Sequence, residues 1–118
     1  MIKIKRVYDE FDITDGLRIL VDRLWPRGIR RDSRNIDLWL KDVAPSDELR
    51  KWFAHDPDKW ETFRSRYLKE LENNKAIEKL YDLISKNSTV TLMFSAKDKE
   101  HNQAVVLLEF LKSKGYKA

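Results

Sequence analysis

Two short polar segments contain the side chains most able to bind or transform a ligand. VDRLWPRG, at residues 21–28, begins at the end of an apolar run, and SAKDKEHN, at residues 95–102, directly follows another. The candidate site residues in them are Asp22, Arg23, Trp25, Arg27, Ser95, Lys97, His101 and Asn102. Because guanidinium and ammonium groups bind phosphates and carboxylates, the two segments predict a site for a small anionic ligand, for which a nucleotide is the natural example.

The same segments contain groups that could take part in a reaction. Arg23 would stabilise negative charge that develops on the ligand, and Asp22 or His101 would move a proton, so these three are the candidate catalytic residues. The expected ligand-binding residues are Trp25, Arg27, Ser95, Lys97 and Asn102. The sequence leaves open whether the ligand is only bound or is also hydrolysed or transferred, and so whether the protein is an enzyme.

Structural roles are the alternative for several of these residues. Arg23 paired with a neighbouring carboxylate would serve the fold alone, and His101 would be a surface residue. Arg30, Arg31 and Arg34 are interleaved with an acidic residue, which is typical of a solvated surface. No two histidines or carboxylates show the spacing of metal ligands, so neither a metal nor a cofactor is predicted.

Three apolar segments predict the strands that would position these groups. Residues 2–8 alternate apolar and basic side chains, while residues 18–24 and 89–95 contain apolar and β-branched runs. The link between the first two strands is short, so their relative direction stays open. Ligands of α/β sheets bind at the carboxyl ends of strands, so parallel neighbours at 18–24 and 89–95 would bring both polar segments to one crevice.

The middle and the end of the chain predict helices. Ser46 is expected to cap one helix, and Asp56 with Pro57 to begin the next. A last helix is expected to be capped by Asp98 and stopped by Gly115. Strands that alternate with helices predict an α/β fold, a small mixed and largely parallel sheet flanked by helices, in a single domain of residues 1–118.

The composition indicates an ordinary compact protein. The chain of 118 residues is 42% hydrophobic and 37% charged, with a formal net charge of +4. It contains no cysteine, which excludes disulfides and thiolate chemistry and fits the reducing cytoplasm. No apolar run reaches the length of a signal peptide or a membrane span, so we expect a cytoplasmic protein without membrane contact.

Five segments together resemble the YeaO-like proteins, a branch of the bacterial group known as domain of unknown function 488. The segments are KRVYD, DGLRILVDRLWPRG, APSDELRKWF, FRSRYLKEL and LMFSAKDKEHNQAVVL. The resemblance covers nearly the whole chain and implies a compact cytosolic α/β domain with its site in the same two polar segments, without supplying a reaction. The wider group resembles a pattern with cysteines where this chain has Ser95 and Asn102, so the thiol chemistry implied by that pattern is excluded here.

Two other functions are consistent with the sequence. The patch from Arg27 to Arg34 would suit a nucleic acid, with an exposed tryptophan against the bases, although a net charge of +4 is small for that function. The surplus of tryptophans would suit a non-catalytic protein partner or a homodimer. We favour the small anionic ligand, because only this function explains why both polar segments follow strands.

Overall fold

Four parallel strands form the sheet of the computed structural model, which describes residues 1–118. The strands are β1 (Ile2–Arg6), β2 (Leu17–Leu20), β3 (Leu38–Trp39) and β4 (Val90–Phe94). Their order in the sheet is β1-β4-β2-β3. The central position of β4 follows from its sequence, because all five of its residues are uncharged and buried, whereas the basic side chains of β1 suit an edge.

Four α-helices and three short 3-10 helices connect the strands. The α-helices are α1 (Asp47–Phe53), α2 (Trp60–Glu72), α3 (Ile77–Lys86) and α4 (Gln103–Ser113). The 3-10 helices are Ile13–Asp15, Lys41–Val43 and Pro57–Lys59. None of these helices has the length and apolar character that crossing a membrane requires.

The α/β fold class predicted from the sequence is confirmed, and the strand direction that the sequence left open is resolved. β1 and β2 are parallel but not adjacent, because β4 lies between them and pairs with both. In this register, Ile4 and Ile19 lie on either side of Leu92. β3 adds only two residues to the edge beside β2, too few for a sequence pattern to predict.

The two faces of the sheet are covered differently. A cluster of 20 buried residues lies between one face and all four helices, and it includes Ile19 and Phe94 from the strands. On the other face, Leu20 and Met93 belong to a smaller buried cluster that is covered by side chains of the segment 25–39. Because successive side chains of a strand point to opposite faces, both faces are buried and polar groups collect at the strand ends.

The predicted helix starts are observed with one correction. Ser46 caps α1, and Asp56 caps the 3-10 turn that leads directly into α2. The last helix is capped by Asn102 and not by Asp98. Asp98 instead accepts hydrogen bonds from two backbone amides of the turn at 100–101, and this turn delays the start of α4.

The strand predicted at residues 18–24 is shorter than expected. β2 ends at Leu20, although the Val21 amide still donates to the Met93 carbonyl at 3.1 Å. Beyond this bond the chain leaves the sheet, and the polar side chains from residue 22 onward contact other segments. The sheet therefore ends where the candidate site begins.

Gly16, immediately before β2, should be far more sensitive to substitution than Gly28. A Cβ at Gly16, where φ is +66°, would lie 2.2 Å from the Thr89 carbonyl oxygen, so we expect Gly16→Ala to lower the free energy of unfolding by about 3 kcal/mol. At Gly28 φ is +79° but the space is open, so Gly28→Ala should cost only about 1 kcal/mol. Urea denaturation of both variants measures the difference, and equal losses would contradict the steric argument.

Candidate functional site

A cleft of about 1040 Å³ lies at the carboxyl ends of β1, β2 and β4. The polar segments that follow β2 and β4 meet here, because the two strands are parallel neighbours. The sequence-predicted residues that line the cleft are Asp22, Arg23, Trp25, Arg27, Ser95 and Lys97. The structure thus brings together six of the eight candidate residues, and only His101 and Asn102 lie outside the lining.

Asp22 joins the ends of the two central strands. Its carboxylate accepts hydrogen bonds from the Ser95 amide at 3.0 Å and the Ser95 hydroxyl at 2.6 Å, and from the side-chain amide of Gln103. Only 7% of Asp22 is exposed. Burial raises the pKa of the Asp22 carboxyl above its ordinary value, and the hydrogen bonds from Ser95 and Gln103 oppose that shift.

Arg23 directs its guanidinium group away from Asp22 and toward the chain segment that precedes α1. It donates to the Ala44 carbonyl at 3.1 Å and to the Pro45 carbonyl at 3.1 Å, and it lies 3.7 Å from an oxygen of Asp42. These contacts occupy donors that a ligand would otherwise use. Arg23 therefore holds one wall of the cleft in place.

Trp25 and Arg27 lie on either side of Pro26 and have different surroundings. The indole nitrogen of Trp25 donates to the Ile29 carbonyl at 2.7 Å, and the guanidinium carbon of Arg31 lies 4.5 Å from the centre of the indole ring. A ligand would thus compete with Arg31 for that ring face. Arg27 is exposed, its side chain forms no hydrogen bond or ion pair, and its own carbonyl accepts from Tyr8, which fixes the turn beneath it.

His101 and Asn102 lie outside the cleft lining and have structural partners. The Nδ1 atom of His101 lies 2.8 Å from a carboxylate oxygen of Asp98, and its ring packs edge-on against Trp60. Asn102 is 1% exposed, and its side chain caps α4 by accepting from the Val105 amide at 3.1 Å. The Glu100 amide and the His101 ring lower the pKa of the Asp98 carboxyl, so the carboxylate form is favoured in this turn.

The cleft lining also contains residues that are absent from the sequence-based set. Among them are Arg6, Tyr8, Arg50, Lys51 and His55. Arg6 donates to the Ser95 and Ala96 carbonyls, and its guanidinium carbon lies 4.6 Å from the centre of the Tyr8 ring. The only sequence signal for this pair was its position at the end of the first predicted strand, residues 2–8.

Three arginines of the patch from Arg27 to Arg34 have partners within the protein. Arg30 pairs with Asp32, and Arg31 lies over two indole rings. Arg34 lies over the ring of Phe11, 4.2 Å from its centre. Among histidine and acidic side chains, no group of three converges as the ligands of a metal ion would.

Similar proteins occur in two bacterial genera. A family model described as "Inactive DUF488-N3 subclade" matches residues 1–117. The chain is 46% identical over 112 residues to the uncharacterized protein YeaO of Escherichia coli, an alignment that covers 95% of this chain and 97% of that protein. It is 42% identical over 110 residues to an uncharacterized protein of Mycobacterium tuberculosis, with 93% and 92% covered. No solved structure matches the chain.

The pH dependence of stability should report the buried carboxyl of Asp22. Its raised folded-state pKa means that the folded protein binds this proton more tightly than the unfolded chain, so its stabilising contribution is complete below the ordinary pKa of 3.8. As the pH rises through the folded-state pKa, that contribution is lost. The free energy of unfolding of wild type minus that of Asp22→Asn should therefore fall as the pH rises above 3.8. Urea denaturation at a series of pH values measures it, and a constant or rising difference would show that the carboxyl is not desolvated.

Arg23 and Arg27 should differ in their contributions to stability. Arg23→Met removes hydrogen bonds from a charged group to two carbonyls, and we expect a loss of about 2 kcal/mol in the free energy of unfolding. Arg27→Met removes an exposed, unpaired group and should change that free energy by less than about 0.5 kcal/mol. Chemical denaturation of the two variants tests this pair, and equal effects would refute the assignment of Arg23 to the wall of the cleft.

Proposed function

The chain belongs to the family described as the inactive DUF488-N3 subclade, and from this premise we propose that it binds a small anionic, phosphate-bearing ligand in the cleft without transforming it. The description "inactive" favours binding over catalysis. The hydrogen bonds that occupy Asp22 and Arg23 favour it too, because these residues hold the walls of the cleft. Catalytic roles for Asp22, Arg23 and His101 stay predictions. A chain without cysteine suits the reducing cytoplasm, which is the location we propose.

The concentration of positive charge in the cleft is the observation that carries this proposal. Six of the 24 lysines and arginines line the cleft, but only two of the 20 acidic residues do. The remaining 18 basic and 18 acidic residues balance, so the lining of the cleft accounts for the whole formal net charge of +4. A concave surface lined by one sign of charge concentrates ions of the opposite sign.

Three of the basic residues are free to contact a ligand. Arg27, Lys51 and Lys97 are exposed, and their side chains form no hydrogen bond, ion pair or contact with an aromatic ring inside the protein. Binding an anion would therefore break no internal contact of these groups. Their presence at the cleft is not explained by the stability of the fold, because unpaired like charges repel one another.

The rest of the lining suits a ligand with an apolar or flat portion. Phe53 and Phe63 line the cleft but are only 5% and 2% exposed, whereas Tyr8 is 41% exposed and offers an accessible aromatic ring. A volume of about 1040 Å³ is at the upper end of the range for pockets that enclose small molecules. These features fit a nucleotide better than a bare inorganic ion.

Thermal unfolding in the presence of candidate ligands tests this proposal. We expect inorganic phosphate, nucleotides or sugar phosphates to raise the Tm, because a ligand that binds only the folded state stabilises it. Lys97→Gln and Arg27→Gln should each reduce the shift by at least about half. Lys112→Gln is the matched control, since Lys112 is exposed and unpaired but lies on α4 outside the cleft lining, and it should leave the shift unchanged.

The other outcomes point to the alternative functions. A shift given only by oligonucleotides and abolished by moderate salt would favour a nucleic-acid-binding module over a small-ligand site. No shift with any anion would refute the proposal and leave a protein partner or a homodimer as the leading function. An equal effect of Lys112→Gln and Lys97→Gln would show that the anions respond to net charge and not to the cleft.

A further inference from the structure

The turn after α1 has a strained backbone that points to a role beyond the fold. Ala54 has a φ of +46° and His55 a φ of +58°, so two consecutive residues that are not glycine adopt the left-handed conformation. Each such residue costs about 1–2 kcal/mol relative to the ordinary helical conformation. Strain of this kind is retained where the surroundings require a particular side-chain position. Both residues line the cleft, and the ring of His55 lies 6.2 Å from that of Phe53.

The last turn of α1 places two further cations beside this strained turn. The Nε atom of Arg50 is buried and has no hydrogen-bond partner, although the same guanidinium donates through Nη2 to Asp47 at 3.2 Å. A buried donor without a partner is uncommon and costly in a folded protein. Lys51 is exposed and unpaired. Arg50, Lys51 and His55, which we call the α1 cluster, are all part of the lining of the cleft.

A second set of cations lines the cleft where it meets the strand ends. Arg27 and Lys97, which we call the strand-end pair, follow β2 and β4. Asp22, whose carboxylate is bonded to Ser95 after β4, also lines the cleft, so the lining is not uniformly basic. A carboxylate in the lining repels anions, so the anionic groups of a ligand are expected beside the two sets of cations and away from Asp22.

We propose that the ligand carries two anionic groups, one bound by the strand-end pair and the other by the α1 cluster. This inference rests on the proposed anion binding and adds the class of ligand, a molecule with two phosphate or carboxylate groups separated by an apolar or flat portion. That portion would contact the exposed apolar and aromatic side chains of the lining, Tyr8 and Leu24. The arrangement accounts for the strain at His55 and for the unpaired donor of Arg50.

A series of alkanediol bisphosphates, from ethanediol to octanediol, tests the two-group ligand. All members carry the same charged groups, so a dependence of affinity on chain length reports the distance between two subsites and not the total charge. We expect calorimetry to show an optimum at one length, with an affinity at least about tenfold higher than that of a monophosphate ester. Equal affinity across the series, or equal affinity for the monophosphate ester, would overturn the proposal.

Variants on the α1 side identify the second subsite. Lys51→Gln and His55→Asn should each weaken binding of the optimal bisphosphate by about threefold to tenfold and remove the length optimum. Asparagine tolerates the left-handed conformation, so His55→Asn removes the imidazole while the turn is kept, and an unchanged Tm without ligand verifies this. Lys112→Gln is again the control, and unchanged affinity in both α1-side variants would overturn the assignment.

The failure of this proposal can be distinguished from the failure of the proposed function. If neither inorganic phosphate nor any bisphosphate binds, anion binding is refuted and the two-group ligand with it. If phosphate and the bisphosphates bind with one affinity that depends on Lys97 but not on Lys51, anion binding stands and only the two-group ligand is refuted.

Discussion

The carboxylate of Asp22 is the contact on which the cleft depends. It lies one residue beyond Val21, the last residue of that segment to donate a backbone bond to β4, and it accepts both the amide and the hydroxyl of Ser95. The Asp22 carboxylate is only 7% exposed, so its charged form loses hydration, and burial therefore raises its pKa. The hydrogen bonds from Ser95 oppose this effect. Without them, the two central strands would separate where the backbone bonds of the sheet stop. The Asp22 carboxylate thus connects the segments after β2 and β4 one residue beyond the backbone hydrogen bond from Val21 to Met93.

Asp22 and Arg23 work as a pair because their side chains contact different segments of the chain. One reaches the segment after β4, and the other reaches the carbonyls that precede α1. The end of β2 therefore positions both the segment after β4 and the helix α1, which contributes Lys51 to the cleft. Asp22 and Arg23, whose side-chain chemistry makes them candidates for catalysis, thus also have structural roles in the cleft.

The sequence could predict the fold class and one side of the site, because both depend on local patterns. The apolar runs before Asp22 and Ser95 marked strands, and the general position of ligands at strand ends placed both residues at one crevice. The full order of the strands could not be predicted, although the uncharged sequence of β4 suits a central position. The direction of the His101 side chain also escaped prediction, because the preceding Asp98 turn decides it.

The residues that sequence reasoning missed come from segments with no chemical pattern of their own. Lys51 and His55 belong to a helix end and a turn, where lysine and histidine are ordinary surface residues, and they reach the cleft only through the packing of α1. Only the structure distinguishes these two residues from ordinary surface residues. Lys51 is an unpaired cation, His55 has a left-handed backbone conformation, and both line the same cleft.

The distribution of charge also supports the proposed binding of an anion in the cleft. Away from the cleft, several lysines and arginines have carboxylate partners, as Arg64 has in Glu109 and Lys114 in Glu72. The net charge of +4 does not by itself indicate a binding site, because 20 acidic residues offset most of the 24 basic ones in the sequence. The excess of four is nevertheless found in the lining of the cleft, because the remaining 18 basic and 18 acidic residues balance. Selection for solubility would spread such an excess over the surface, whereas a bound anion requires it in one place.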